Sequence, residues 1–153
     1  MNRRRNRRRG ATIVEMSIVL SVFLMLTLGM IDLGTCVFRY HVLSNAARQG
    51  ARRAIVHGAL ANSALDGGPW GPTTIDVAAT STSTPIVGGA HDGIAGLLVG
   101  CNPAQTTIEV QWTKNSNAVG QPVQVTLSTP YTPVMWFLTG GTLTAASTMQ
   151  IVH

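Results

Sequence analysis

From Met16 to Ile31 the chain runs for sixteen residues, MSIVLSVFLMLTLGMI, without a single charge. As a helix this stretch spans roughly 24 Å at about 1.5 Å per residue. The apolar flanks at residues 11–14 and 33–38 carry it past the ~30 Å hydrocarbon core of a bilayer. The pattern therefore predicts one membrane-spanning helix. A cleaved secretory signal would need a shorter apolar run followed by a small-residue cleavage site. Here the run is longer, and the sequence after it continues in a helical pattern.

Charge is distributed unevenly around that span. The chain has 153 residues, of which only 11% are charged, and a net charge of +5. Ordinary soluble domains carry about 25% charged residues, so the deficit points away from a free cytosolic enzyme. Ten of the eleven basic residues lie at or before Arg53, six of them being Arg3, Arg4, Arg5, Arg7, Arg8 and Arg9. From residue 54 onward Lys114 stands against Asp66, Asp76, Asp92 and Glu109. Arginines before the span and few cations well beyond it satisfy the positive-inside rule, predicting a cytoplasmic N-terminus and an exported C-terminal part. Six arginines can also contact phosphates. Without interleaved aromatics, a recognition helix or a second basic patch, nucleic acid is not expected as a partner. A twin-arginine export signal fits the composition but leaves Glu15 unexplained.

Glu15 and Asp32 are the only charges between residues 11 and 38. An acid near mid-span costs about 2.5 to 3.5 kcal/mol on insertion scales, and less near either end. Asp32 is expected at the outer end, within reach of headgroups or water. Glu15 stands five residues after Gly10, about one turn inside the cytoplasmic end.

That spacing carries a resemblance. Gly10-Ala11-Thr12-Ile13-Val14-Glu15 resembles the processing site of type IV prepilins: a basic leader, a glycine before the scissile bond, and a glutamate five residues on, at the entry to an apolar helix. The resemblance implies cleavage between Gly10 and Ala11 by a membrane-embedded prepilin peptidase. It also implies that Glu15 pairs with the new N-terminal amine of a neighbouring subunit. A carboxylate in low dielectric is tolerated when an ammonium neutralises it. Such a cut would remove six arginines and take the net charge from +5 to −1.

Farther along, Asp32-Leu33-Gly34 and Asn45-Ala46-Ala47-Arg48-Gln49-Gly50-Ala51-Arg52 resemble elements of the TadE-like pseudopilins of tight-adherence (Flp) pilus systems. Residues 123–153 resemble the family's closing strands, and residues 59–100 match only loosely. An aromatic residue often follows the glutamate in these systems; here it is Met16. The implied partners are a prepilin peptidase, sister pseudopilins and pilin subunits, and an inner-membrane assembly platform with its ATPase.

Read from its residues, the chain divides into a basic leader at 1–10, a helix at 11–57, a connection at 58–90 and a small domain at 91–153. Ala47, Gly50, Ala51 and Ala54 form a small-residue stripe that invites close approach, by the C-terminal domain first and a neighbouring helix second. Arg48, Arg52 and Arg53 lie largely off the stripe. The connection is rich in Gly, Pro, Ser and Thr and reads as mostly irregular, with Trp70 pinning it to the domain. A short helix is expected over 92–99, with Ile94, Leu97 and Leu98 inward. Strands are expected over 106–112, 123–129 and 143–152, joined as an antiparallel meander. The prolines of STPYTPVMWFL keep that stretch from being a regular central strand. Its cluster of Tyr131, Met135, Trp136, Phe137 and Leu138 reads equally as core or as a patch facing another subunit or the membrane.

Catalytic signals are missing. His41, His57, His91 and His153 lack ligand spacing, so no metal is expected, and no phosphate loop, nucleophile elbow or paired-carboxylate motif is present. Cys36 and Cys101 would both face an oxidising compartment, which makes them a candidate disulfide. The expected architecture is α+β, a long N-terminal membrane-spanning helix with a small antiparallel sheet packed on its outer half. The expected function is that of a non-enzymatic pseudopilin without a cofactor, in the bacterial inner membrane and from there in a pilus. The alternative is a single-span anchor whose exported domain binds a partner.

Overall fold

The computed structural model describes residues 3–62, 68–80, 94–135 and 139–152. Helix α1 (Arg3–Ala54) runs 52 residues without interruption, about 78 Å at 1.5 Å per residue. It begins within the arginine run and passes straight through Gly10, Gly29 and Gly34. It stops three residues short of the expected end at His57. Arg52 and Arg53 occupy its last turn, where cations complement the helix dipole.

Four strands follow: β1 (Ile75–Ala78), β2 (Thr107–Trp112), β3 (Pro122–Tyr131) and β4 (Gly141–Gln150). They form an antiparallel meander in the order β1-β2-β3-β4. Three coincide with the sequence expectation to within a few residues. β1 was not expected: it lies within the segment read as an irregular connection, where Ile75 and Val77 alternate with Asp76 and Ala78. A four-residue strand flanked by turn-formers is stabilised mainly by pairing with β2, in the register Ile75↔Val110 and Val77↔Ile108.

Alternation fixes the buried face. Ile108, Val110 and Trp112 on β2 face Leu127, Val125 and Val123 on β3, and all six are buried. On β4 the inward positions opposite Val125 and Leu127 are the small Ser147 and Ala145. The helix packs over β3 and β4, so small residues on both sides let the two backbones approach closely. Ala46, Ala47, Ala51 and Ala54 are fully buried there with Leu43. A Cβ at Gly50 would meet Ile94 Cδ1 at 2.8 Å and Val125 Cγ1 at 3.1 Å. The expected stripe is therefore the seam with the chain's own sheet.

The expected helix over 92–99 is a single 3-10 turn, Ile94–Leu97, with Ile94 and Leu98 buried. Its first two residues lie outside the described ones. Trp70 is buried and stacks on His57, with ring centroids 4.0 Å apart. Its backbone N–H donates to the His57 carbonyl and its own carbonyl accepts from Asn117 Nδ2. The chain thus returns to the end of α1 before entering β1. Gly71, with φ +81°, lies against the Trp112 indole, where a Cβ would clash.

β3 carries on through Pro130, past the expected end at residue 129, but not as a regular central strand. Pairing with β2 runs only as far as Thr107↔Ser128, whereas pairing with β4 extends to Tyr131↔Gly141. Pro130 thus sits where one side of β3 is an open edge, the place a missing N–H is tolerated.

Candidate functional site: the helix and its junction with the sheet

The β3–β4 hairpin is fastened to α1 at two levels. At its far end the Val152 N–H donates to the Ile55 carbonyl at 3.1 Å. At its near end the Tyr131 hydroxyl donates to the Asp32 carbonyl at 2.8 Å. Residues 32 and 55 are separated by about 34 Å of helix, and ten residues of strand span about 34 Å as well. Helix and hairpin are matched in length, so the sheet covers α1 from Asp32 upward and leaves the part before it bare.

Asp32 anchors the near end. Its side chain, only 2% exposed, accepts the Val134 N–H at Oδ1 (3.0 Å) and the Met135 N–H at Oδ2 (2.9 Å). This corrects the sequence reading of Asp32 as an acid reaching headgroups or water. A carboxylate with both oxygens accepting backbone amides needs no such escape, because charge-assisted bonds replace the lost hydration. No local signal announces this pairing, since donors and acceptor lie about a hundred positions apart. Thr35 and Arg39 complete the junction. Thr35 Oγ1 donates to the Asp32 carbonyl and lies 3.4 Å from the Tyr131 hydroxyl. The Arg39 guanidinium sits 5.5 Å from the Tyr131 ring centroid, a cation–π contact. Of the aromatic cluster read from the sequence, Trp136, Phe137 and Leu138 lie outside the described residues.

Before Asp32 the helix is bare. Residues 11–28 are all exposed, as are Met30 and Ile31. Gly10, Ala11 and Glu15 fall on this bare part, on continuous helix. Glu15 is exposed, about 7 Å along the axis from Gly10. A shallow apolar groove lined by Thr12, Ile13, Met16, Ser17 and Leu20 runs over the same turns.

Cys36 is half-buried on the helix and Cys101 is buried beside the sheet; both are free thiols in the structure. Burial pushes the Cys101 thiol above its ordinary pKa, and the charge of Arg39 pulls weakly the other way. Arg39, Cys101, Asn102, Gln105 and Thr132 line an open cleft of about 460 Å³. Among the described residues no cluster of His, Cys, Asp and Glu has the arrangement of a metal site.

In comparison with known families, residues 10–52, 43 of the 153, match the family model described as TadE-like protein. Over this stretch the helix is similar to TadE-like proteins. The match begins at Gly10 and ends at Arg52, two residues before the end of α1. It covers both the bare half and the docked half of the helix and stops before the sheet. No curated protein and no solved structure matches the chain.

The matched segment also explains its own motif. In Asn45-Ala46-Ala47-Arg48-Gln49-Gly50-Ala51-Arg52 the four small residues are buried and the four polar ones exposed. Apolar and long enough to cross a bilayer, the helix fits a single-pass membrane anchor.

Proposed function

We propose that this protein is a pseudopilin of a tight-adherence pilus, made as a precursor and cut between Gly10 and Ala11 by a prepilin peptidase. The observation that carries the reading is the TadE-like match over residues 10–52, which starts at the glycine of the processing pattern. Residues 1–10 remain in the cytoplasm, residues 11–31 cross the inner membrane, and the sheet domain stands outside. Sister pseudopilins and pilin subunits, the assembly platform and its ATPase are the partners. A bare apolar half-helix supports this role, because it can leave lipid for the equally apolar helices of neighbouring subunits.

The chemistry assigned to the site is electrostatic. Cleavage creates an ammonium at Ala11, and Glu15 on an adjacent subunit supplies the carboxylate that neutralises it in low dielectric. The uncut chain has no amine at this position, so pairing depends on processing. N-terminal sequencing of membrane-extracted protein tests the proposal, with a start at Ala11 expected. A Gly10→Asp variant is expected to keep its full mass and to fail in assembly. An intact Met1 in the wild type, or normal assembly of the uncut variant, would return the chain to an ordinary single-span anchor.

A further inference from the structure

The turn after β3 lies at the level where the bare part of α1 ends. Residues 11–31 measure about 32 Å as helix, close to the ~30 Å hydrocarbon thickness. If they span the bilayer, the outer boundary falls beside Asp32. The Asp32 carboxylate binds the amides of Val134 and Met135, which fixes the turn at that boundary. Val134, held to Asp32 through its N–H, is 82% exposed, and on the helix around Asp32 Met30 is 73% and Leu33 67% exposed.

Irregular backbone enters a bilayer only when its polar groups are already satisfied. This turn meets much of that condition. Pro130 and Pro133 have no N–H, and Val134 and Met135 give theirs to Asp32. Tyr131, an amphipathic side chain of the kind enriched at membrane interfaces, directs its hydroxyl to the Asp32 carbonyl. Exposed apolar side chains stand on both sides of the Asp32 contact, Val134 on the turn and Met30, Ile31 and Leu33 on the helix, and the bilayer that would cover these helix residues is the partner assigned to the turn.

We infer that the Val134–Met135 turn is a second membrane contact, resting in the outer interfacial layer and held there by Asp32, so that the sheet domain meets the lipid at two points. The inference rests on the reading of residues 11–31 as the span. The test uses the full chain in vesicles of phosphatidylethanolamine and phosphatidylglycerol, with Cys36→Ser and Cys101→Ala as background and nitroxide labels at Met25→Cys, Val134→Cys or Asn115→Cys. Relaxation by oxygen, which concentrates in lipid, is compared with relaxation by a water-soluble nickel chelate.

The oxygen-to-nickel accessibility ratio at position 134 is expected to be severalfold above that at Asn115, on the β2–β3 turn, and to approach that at position 25. A ratio at 134 equal to that at 115, with 25 still reading lipid, overturns the contact and leaves the span intact. Water-like ratios at both 25 and 134 overturn the span and the contact together. Protection at 134 from both reagents, with spin–spin broadening that grows with protein-to-lipid ratio, assigns the turn to a second copy of the chain and overturns the lipid contact.

Discussion

The two halves of α1 are one uninterrupted helix in two surroundings. From Gly10 to Ile31 every large apolar side chain is exposed, whereas beyond Asp32 Leu43 and the alanine stripe are fully buried under the sheet. The glycines show the contrast most directly. A Cβ on Gly10 or Gly29 would meet nothing within 4 Å, but one on Gly50 would run into Ile94 and Val125. The same residue type is therefore neutral to packing in one half and required by it in the other. Helical periodicity does not report this difference, because what covers the helix is supplied by residues far along the chain.

Paired substitutions sharpen the comparison. Leu43→Ala is expected to destabilise the helix–sheet unit by about 2 to 5 kcal/mol, the usual range for truncating a fully buried leucine. Leu26→Ala, at an exposed position, is expected to leave that unit unchanged. Denaturant unfolding in detergent, followed by the buried Trp70 and Trp112, measures both, and equal effects would break the division between halves. Next in size, Gly50→Val is expected to cost about 1 to 3 kcal/mol through overpacking against Ile94 and Val125. Gly29→Ala should be neutral or stabilising by up to about 1 kcal/mol from helix propensity.

The two acids form the third pair. Asp32→Asn keeps one acceptor and turns a donor toward the other amide, for an expected loss of about 1 to 2 kcal/mol. Hydrogen exchange at Val134 and Met135 should accelerate. Glu15→Gln leaves those amides protected, and its effect is expected in assembly alone. The smallest effect concerns the thiols. Because burial raises the Cys101 pKa, its alkylation rate is expected to climb at higher pH than that of a small free thiol. The half-buried Cys36 should label first. By linkage, the stabilising contribution of the neutral Cys101 is complete below the ordinary thiol pKa and declines as pH rises through the folded-state value. Mass spectrometry of pulse-labelled protein across that range reads the labelling directly.

Much of the architecture was legible in local pattern. Sixteen uncharged residues announced the long apolar helix, alternation announced β2, β3 and β4, and the Ala/Gly spacing announced a close-packed seam. Gly10 and Glu15 were legible by resemblance alone, through their spacing, and the match over residues 10–52 supports the family without testing the cut. β1 was harder to read, since four alternating residues among turn-formers carry little signal until β2 lies beside them. The passage of β3 through Pro130 depends on where β2 happens to end.

The sequence by itself determined that a long apolar helix would precede a small antiparallel sheet, because hydrophobic periodicity is a local property that survives without knowledge of neighbours. Only the tertiary structure decided where the bare helix ends and the covered one begins. That boundary is set at Asp32, whose carboxylate binds two amides about a hundred residues away. Its surroundings are created by chain crossing, and no window of sequence contains them.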